Sequence, residues 1–294
     1  FLFDFLYSVI VVGGFSLLLA VLVPGVLMAF SVVFLARMFA LELSKSELAA
    51  TACLLFFFLN GTLASWAFLD DFSKAGDKLA FLSNPADYAS PGGQQAGLAN
   101  FVSTIFVPQR TVLMGFALAL LAYFLLYRIY SGQAHKTDYL FAGLSVALLP
   151  LVHIASFAVA GVAFGSVLLR EAWHSKFAGL AKNKKLWLML APVILLAIPQ
   201  LLWINEQPRS PGFFGVQAGW LAKTTDAWQV ALFWLKNAGI ALPLALVGLL
   251  AVNARRRLAY APFVLVFAAA NLFRFQPWDW DNTKYFMHWM FFTA

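Results

Sequence analysis

Apolar residues in this chain come in long continuous blocks rather than in alternation, which predicts helices and disfavours a closed β-barrel. Blocks near or above the ~18 residues needed to cross a bilayer core of about 30 Å recur along the whole length. The pattern predicts a short aromatic helix over Phe1–Gly13, carrying Asp4 and lying at an interface. Spans follow over Phe15–Ala40, with Pro24 as a kink, and over Ala49–Leu69 and Thr111–Tyr130. Tyr139–Val152 and Ser156–Leu169 form a pair of short helices joined at Leu151-Val-His153. Leu186–Ile204 crosses next, bent by Pro192 and Pro199, then Val230–Val252 and Pro262–Phe273, and Phe286 begins another segment.

Polar segments over 70–109, 205–227 and 274–285 separate these blocks. Ser83-Asn-Pro-Ala-Asp87 and Ser90-Pro-Gly-Gly93 are turn signals within the first of them. The expected fold is an all-α, polytopic transmembrane bundle of about seven to eight membrane segments, one domain over 1–294. With no Met at position 1 and an apolar stretch running to Ala294, the chain is expected to be a fragment lacking membrane segments at both ends.

Composition supports the class: 62% of residues are hydrophobic and 11% charged, against about 25% charged in soluble domains. The net charge of +7 is unevenly placed. Alternating the spans puts Arg37, Lys45, Arg128, Lys136, Arg170, Lys176, Lys182, Lys184, Lys185 and Arg255-Arg-Arg257 at one face, twelve cations against four carboxylates. The other face holds eight cations and nine carboxylates. The positive-inside rule makes the first face cytoplasmic in an inner or plasma membrane and the second external. The basic balance is thus topogenic, and no nucleic-acid motif accompanies it. Cys53, the single cysteine, excludes an internal disulfide.

The densest chemistry lies in Arg274-Phe-Gln-Pro-Trp-Asp-Trp-Asp-Asn-Thr-Lys284: two carboxylates, two cations, side-chain amides and two tryptophans. So polar a cluster beside membrane helices is costly unless water or a polar ligand meets it. Asn100 to Arg110, Pro150-Leu-Val-His153 with Ser156, Pro199-Gln200 with Trp203, Gly212-Phe-Phe-Gly215 and Gly219-Trp220 fall on the same face. Each has a plainer reading. Arg110 can snorkel to headgroups, His153 can cap a helix junction, and Trp203, Trp220, Trp278 and Trp280 can form an interfacial belt. Asp70-Asp71 reads as a solvated edge, and the sequon Asn60-Gly-Thr62 lies within an apolar run.

The chemistry that suits the cluster is transfer from a lipid phosphate. Negative charge builds on the leaving phosphate, and Arg110, Arg274 and Lys284 are cations available to balance it. Asp279 and Asp281 could deprotonate an acceptor or hold a divalent metal. Gln109, His153, Gln200, Trp278 and Asn282 would line a sugar-binding cavity.

Val107-Pro-Gln-Arg-Thr-Val-Leu-Met-Gly115, Leu148-Leu-Pro-Leu-Val-His-Ile-Ala-Ser-Phe157, Pro199-Gln200 and Pro277-Trp-Asp-Trp-Asp-Asn-Thr-Lys284, in that order, resemble a bacterial branch of the GT-C superfamily. These are integral-membrane glycosyltransferases that use polyprenyl-phosphate-linked sugars. The resemblance implies an all-helical fold with its site on the outer face. It also implies an acidic catalytic residue in a first outer loop, expected upstream of Phe1, with Asp4 as a neighbour rather than the base. A secondary transporter and a non-catalytic subunit of a membrane complex are the competing classes.

Overall fold

The computed structural model describes residues 2–59, 62–84, 86, 88, 97–98, 100–175, 182–206, 214–222 and 224–294. Among them the fold is helical, apart from one two-residue antiparallel pairing. Helix α1 (Leu2–Val12) leads into α2 (Leu17–Ser44), which runs unbroken through Pro24. Ser16 starts α2 by accepting the Leu19 N–H, and Ser46 starts α3 (Glu47–Phe58) by accepting the Ala49 N–H, as N-cap hydroxyls do. Two short helices, α4 (Ala64–Lys74) and α5 (Lys78–Ser83), follow. A π turn over Val102–Phe106 then leads into α6 (Arg110–Ser131).

Helix α6 is the central element. Two-thirds (67%) of its apolar window is buried inside the protein, against 17% for α2. It packs against α2, α7 (Lys136–Val152) and α8 (Ile154–His174). Helix α9 (Lys184–Pro192) continues through a π turn over Val193–Ala197 into α10 (Ile198–Glu206). The bundle closes with α11 (Ala227–Ala238), α12 (Ala241–Ala251), α13 (Ala254–Leu272) and α14 (Thr283–Thr293). Strands β1 (Gly215–Val216) and β2 (Phe273–Arg274) pair with Gly215 opposite Arg274.

Four described helices are long and apolar enough to cross a membrane, or five if the bent pair α11–α12 counts as one span. The expectation of seven or eight is not confirmed, and two of the expected spans are broken. The block Ala49–Leu69 divides, with α3 ending at Phe58 and α4 starting at Ala64. The block Val230–Val252 turns through 100° between Ala238 and Ala241. Gly239 sits at that corner with φ 57 and ψ −140, a conformation costly for any residue with a Cβ. Apolarity alone registers neither break.

Three of the basic residues at the ends of α6, α12 and α13 act on backbone. Arg255 donates to Tyr130 O at the end of α6 (2.9 Å), and Arg257 donates to Leu250 O and Val252 O at the end of α12 (both 3.0 Å). Arg128 donates to Asp138 at 3.0 Å and to Gln133 O at 3.1 Å, fastening the α6–α7 turn. The acidic partner Asp138 also accepts the His135 N–H in a reciprocal cap at the start of α7.

Candidate functional site

The sequence cluster Arg274–Lys284 folds as β2, a short turn and the first residues of α14, over the ends of the neighbouring helices. It forms two ion pairs at different depths. Arg274 meets Asp279 at 3.0 Å, with side chains 29% and 43% exposed, whereas Lys284 meets Asp281 at 3.0 Å with side chains 14% and 5% exposed. The second pair is therefore the floor, and Trp278, 62% exposed, belongs to the rim. Asp281 Oδ1 has no well-directed hydrogen bond beyond this ion pair. Buried carboxylates usually have several such bonds, so a polar ligand would find an acceptor there.

Beneath the floor lies a chain of buried polar groups. Tyr123 of α6 bonds His288 Nδ1 of α14 at 2.9 Å. His288 Nε2 bonds Ser156 of α8 at 3.0 Å, and Ser156 bonds His153 Nδ1 at 2.8 Å. His153 is the single residue between α7 and α8, and it starts α8 by accepting the Ser156 N–H. Lys284, one turn before His288 on α14, is within electrostatic reach of the His153 ring. His288 and Tyr123 escape sequence reasoning because each stands alone within an apolar block.

Gly115 explains how α8 reaches this position. A Cβ there would collide with Cβ of His153. The close approach sets the start of α8 beside Gly115, five residues into α6, or about 7 Å below Arg110 along the axis. Arg110 is exposed at the head of α6, beside the Tyr7 phenol of α1. The site is thus a polar cluster graded in depth, with Arg274, Asp279 and Trp278 toward the surface, His153, Asp281 and Lys284 deeper, and Arg110 at the exposed head of α6.

Other expected site residues are engaged in structure. Gln200 fills a gap in the ladder of α7: its Nε2 donates to Ala147 O (2.9 Å) and Leu196 O (2.7 Å), and its Oε1 accepts Leu151 N–H (3.2 Å). Pro150 interrupts that turn, and Gln200 supplies its missing partners. Asn282 is 1% exposed and donates to Ala270 O (2.8 Å) and Phe273 O (2.7 Å) while accepting Phe275 N–H (3.2 Å). Both amides hold backbone, Gln200 that of α7 and Asn282 that at the end of α13. Gln109 is half-buried just before α6, and its side chain does not cap the helix.

Trp220 is not part of an interfacial belt. It is 1% exposed, stacks on Trp234 at 5.6 Å and donates from Nε1 to Asp279 O at 2.7 Å. Its φ of 49 is a left-handed conformation rare for a bulky residue. The strain is held by that burial, and it places the ring directly beneath the Asp279 turn. Trp203 and Trp280 are 42% and 37% exposed, as belt residues would be.

Tyr88 donates to Asp71 at 2.7 Å, and that bond raises the phenol pKa above its ordinary value, so this edge is ordered by side chains as well as solvated. Among the described residues no three His, Cys, Asp or Glu side chains converge as a metal site. Asp279 and Asp281 each face a cation instead. Asn60, Asp87, Ser90-Pro-Gly-Gly93 and Gly212-Phe213 lie outside the described residues. No protein-family model, curated protein or solved structure matches the chain.

Proposed function

We propose that the chain is a membrane glycosyltransferase of GT-C type, taking sugar from a polyprenyl-phosphate donor at the face opposite its basic loops. The observation that carries the reading is the polar cluster itself. A buried carboxylate–lysine pair and a buried imidazole lie beneath partly exposed arginine and aspartate and an exposed tryptophan in an otherwise apolar protein. Charged groups so placed within membrane helices are expensive and are commonly functional.

In the proposed reaction the acceptor hydroxyl gives its proton to a carboxylate, for which Asp279 is the exposed candidate, and its oxygen attacks the anomeric carbon; the bond from that carbon to phosphate oxygen breaks, and polyprenyl phosphate leaves with the electron pair. Arg110 and Arg274 hold the phosphate as its charge grows, and Lys284 adds to the positive field from below. Trp278 offers an apolar face to a sugar ring. Basic loops at the cytoplasmic side and an inner or plasma membrane location complete the reading.

Thermal unfolding of the full-length protein in detergent, with and without polyprenyl phosphate, tests it. A ligand that binds only the folded state adds about 2.7 kcal/mol at a hundredfold excess over Kd. The melting temperature should rise in the parent and rise less in Arg110→Gln and Arg274→Ala. A folded parent that shows no rise at saturating lipid would overturn the reading and leave the transporter and accessory-subunit classes.

A further inference from the structure

At the basic end of the bundle, opposite the ends that carry Arg110 and Arg274, a cavity of about 830 Å³ opens between α2, α3, α6, α8, α12, α13 and α14. Its walls are apolar, among them Phe39, Leu126, Val167, Leu249 and Phe263. A volume of this size is that of a ligand-binding pocket, for which about 300–1,000 Å³ is usual. Beside it lies a second, smaller pocket of about 200 Å³ with a different character. Its lining includes Lys45, Arg255, Arg256, Ser131 and Asn253, with Glu42 as the only carboxylate. Tyr127 and Arg256 line both pockets, so the apolar and basic compartments adjoin.

The cations of the small pocket are not equivalent. Lys45 is paired with Glu42 at 2.7 Å, and Arg255 caps the end of α6. Arg257, next along the chain, caps α12. Arg256 stands between these two, exposed, with its backbone N–H bonded to Asn253 and its side chain without a hydrogen-bond or ion-pair partner among the described residues. Helix capping accounts for Arg255 and Arg257 and leaves Arg256 unexplained. Three cations against one carboxylate give the pocket a net positive charge. Lys45 is set there by a left-handed backbone (φ 57), unusual for a residue with a side chain.

We propose that the two compartments together bind one anionic phospholipid of the surrounding bilayer. Its phosphate sits against Arg256 and Lys45, and an acyl chain fills the apolar cavity. The charge commits the occupant: the net positive pocket repels the ammonium that a zwitterionic lipid carries beside its phosphate, whereas an anionic lipid brings no such cation. In the orientation proposed above, this end faces the cytoplasmic leaflet, which is the anionic one. The site is independent of the sugar-transfer reading, since its residues lie at the opposite end of the bundle from Arg110 and Arg274.

The test is native mass spectrometry of full-length protein after exchange into detergent with equal phosphatidylglycerol and phosphatidylcholine, counting retained lipid of each kind. The parent should retain phosphatidylglycerol preferentially. Arg256→Gln should cut that preference about fivefold, the effect of one cation near a membrane surface. Gly248→Leu should reduce both lipids, because Gly248 lines the cavity and faces open space there. Lys184→Gln, an exposed cation at the same end, should change nothing. Equal retention of both lipids by the parent would overturn the proposal, as would an unchanged preference in Arg256→Gln or an equal loss in Lys184→Gln. Loss of the polyprenyl-phosphate effect in Arg110→Gln with this preference intact would separate the two proposals.

Discussion

Asn282 distinguishes a residue that binds ligand from one that builds the site. Helix α13 ends at Leu272, so the carbonyls of Ala270 and Phe273 lack helical partners. Asn282 supplies two donors to them and accepts the Phe275 N–H, from a position 1% exposed. Replacing Asn282 with Ala removes three hydrogen bonds at once. At about 0.6–1.5 kcal/mol for each bond, the span between membrane-protein averages and soluble-protein values, the loss is roughly 2–4 kcal/mol. At about 2 °C per kcal/mol for a chain of this size, the melting temperature should fall by roughly 4–8 °C. Differential scanning fluorimetry in detergent reads that shift directly. Asp279→Ala is the control, because its half-exposed pair with Arg274 is worth about 0–1 kcal/mol and its backbone bond to Trp220 survives. A melting temperature unchanged within error in Asn282→Ala, with lipid binding lost, would refute the structural assignment and return Asn282 to the list of ligand contacts.

Two further outcomes test the polar cluster. Lys284→Met strands the Asp281 carboxylate at 5% exposure and should destabilise by about 3–5 kcal/mol, while Asp281→Asn combined with Lys284→Met should recover most of that. Strictly additive losses in the four-member cycle would mean the pair is not coupled. Gly115→Ala should lower stability by about 1–3 kcal/mol, because the added methyl meets His153. An exposed helical glycine would instead gain up to about 1 kcal/mol. A rise in melting temperature would therefore show that α8 does not approach α6 at this point.

The unbroken helices were legible because their apolarity is continuous: Phe15–Ala40 lies within Leu17–Ser44 but for its first two residues, and Thr111–Tyr130 is Arg110–Ser131 less its ends. The corner at Gly239 was not, since it depends on one backbone dihedral within a block of uniform hydropathy. Within Arg274–Lys284 the sequence showed dense polarity but not its division. Asp281 and Lys284 lie deep, Asp279 and Trp278 lie shallow, and Asn282 faces backbone, because a short turn rotates consecutive side chains in different directions. His153 was legible as a junction residue. Its connection to Tyr123 was not, as it runs through His288, a histidine with no local pattern that lies 165 positions from Tyr123.

That connection has a direction. Two hydroxyls and two neutral imidazoles in series can be satisfied with every proton pointing toward His153 or every proton pointing away. The Ser156 N–H breaks the tie, because it donates to His153 Nδ1 and so requires that nitrogen to be bare. Ser156 then gives its hydroxyl proton to His153, His288 gives Nε2–H to Ser156, and Tyr123 gives its phenolic proton to His288. One backbone amide at the start of α8 thereby selects the tautomer of both rings. The proton of His153 is left on Nε2, so any group that meets that nitrogen encounters a donor, matched to an oxygen and not to an N–H.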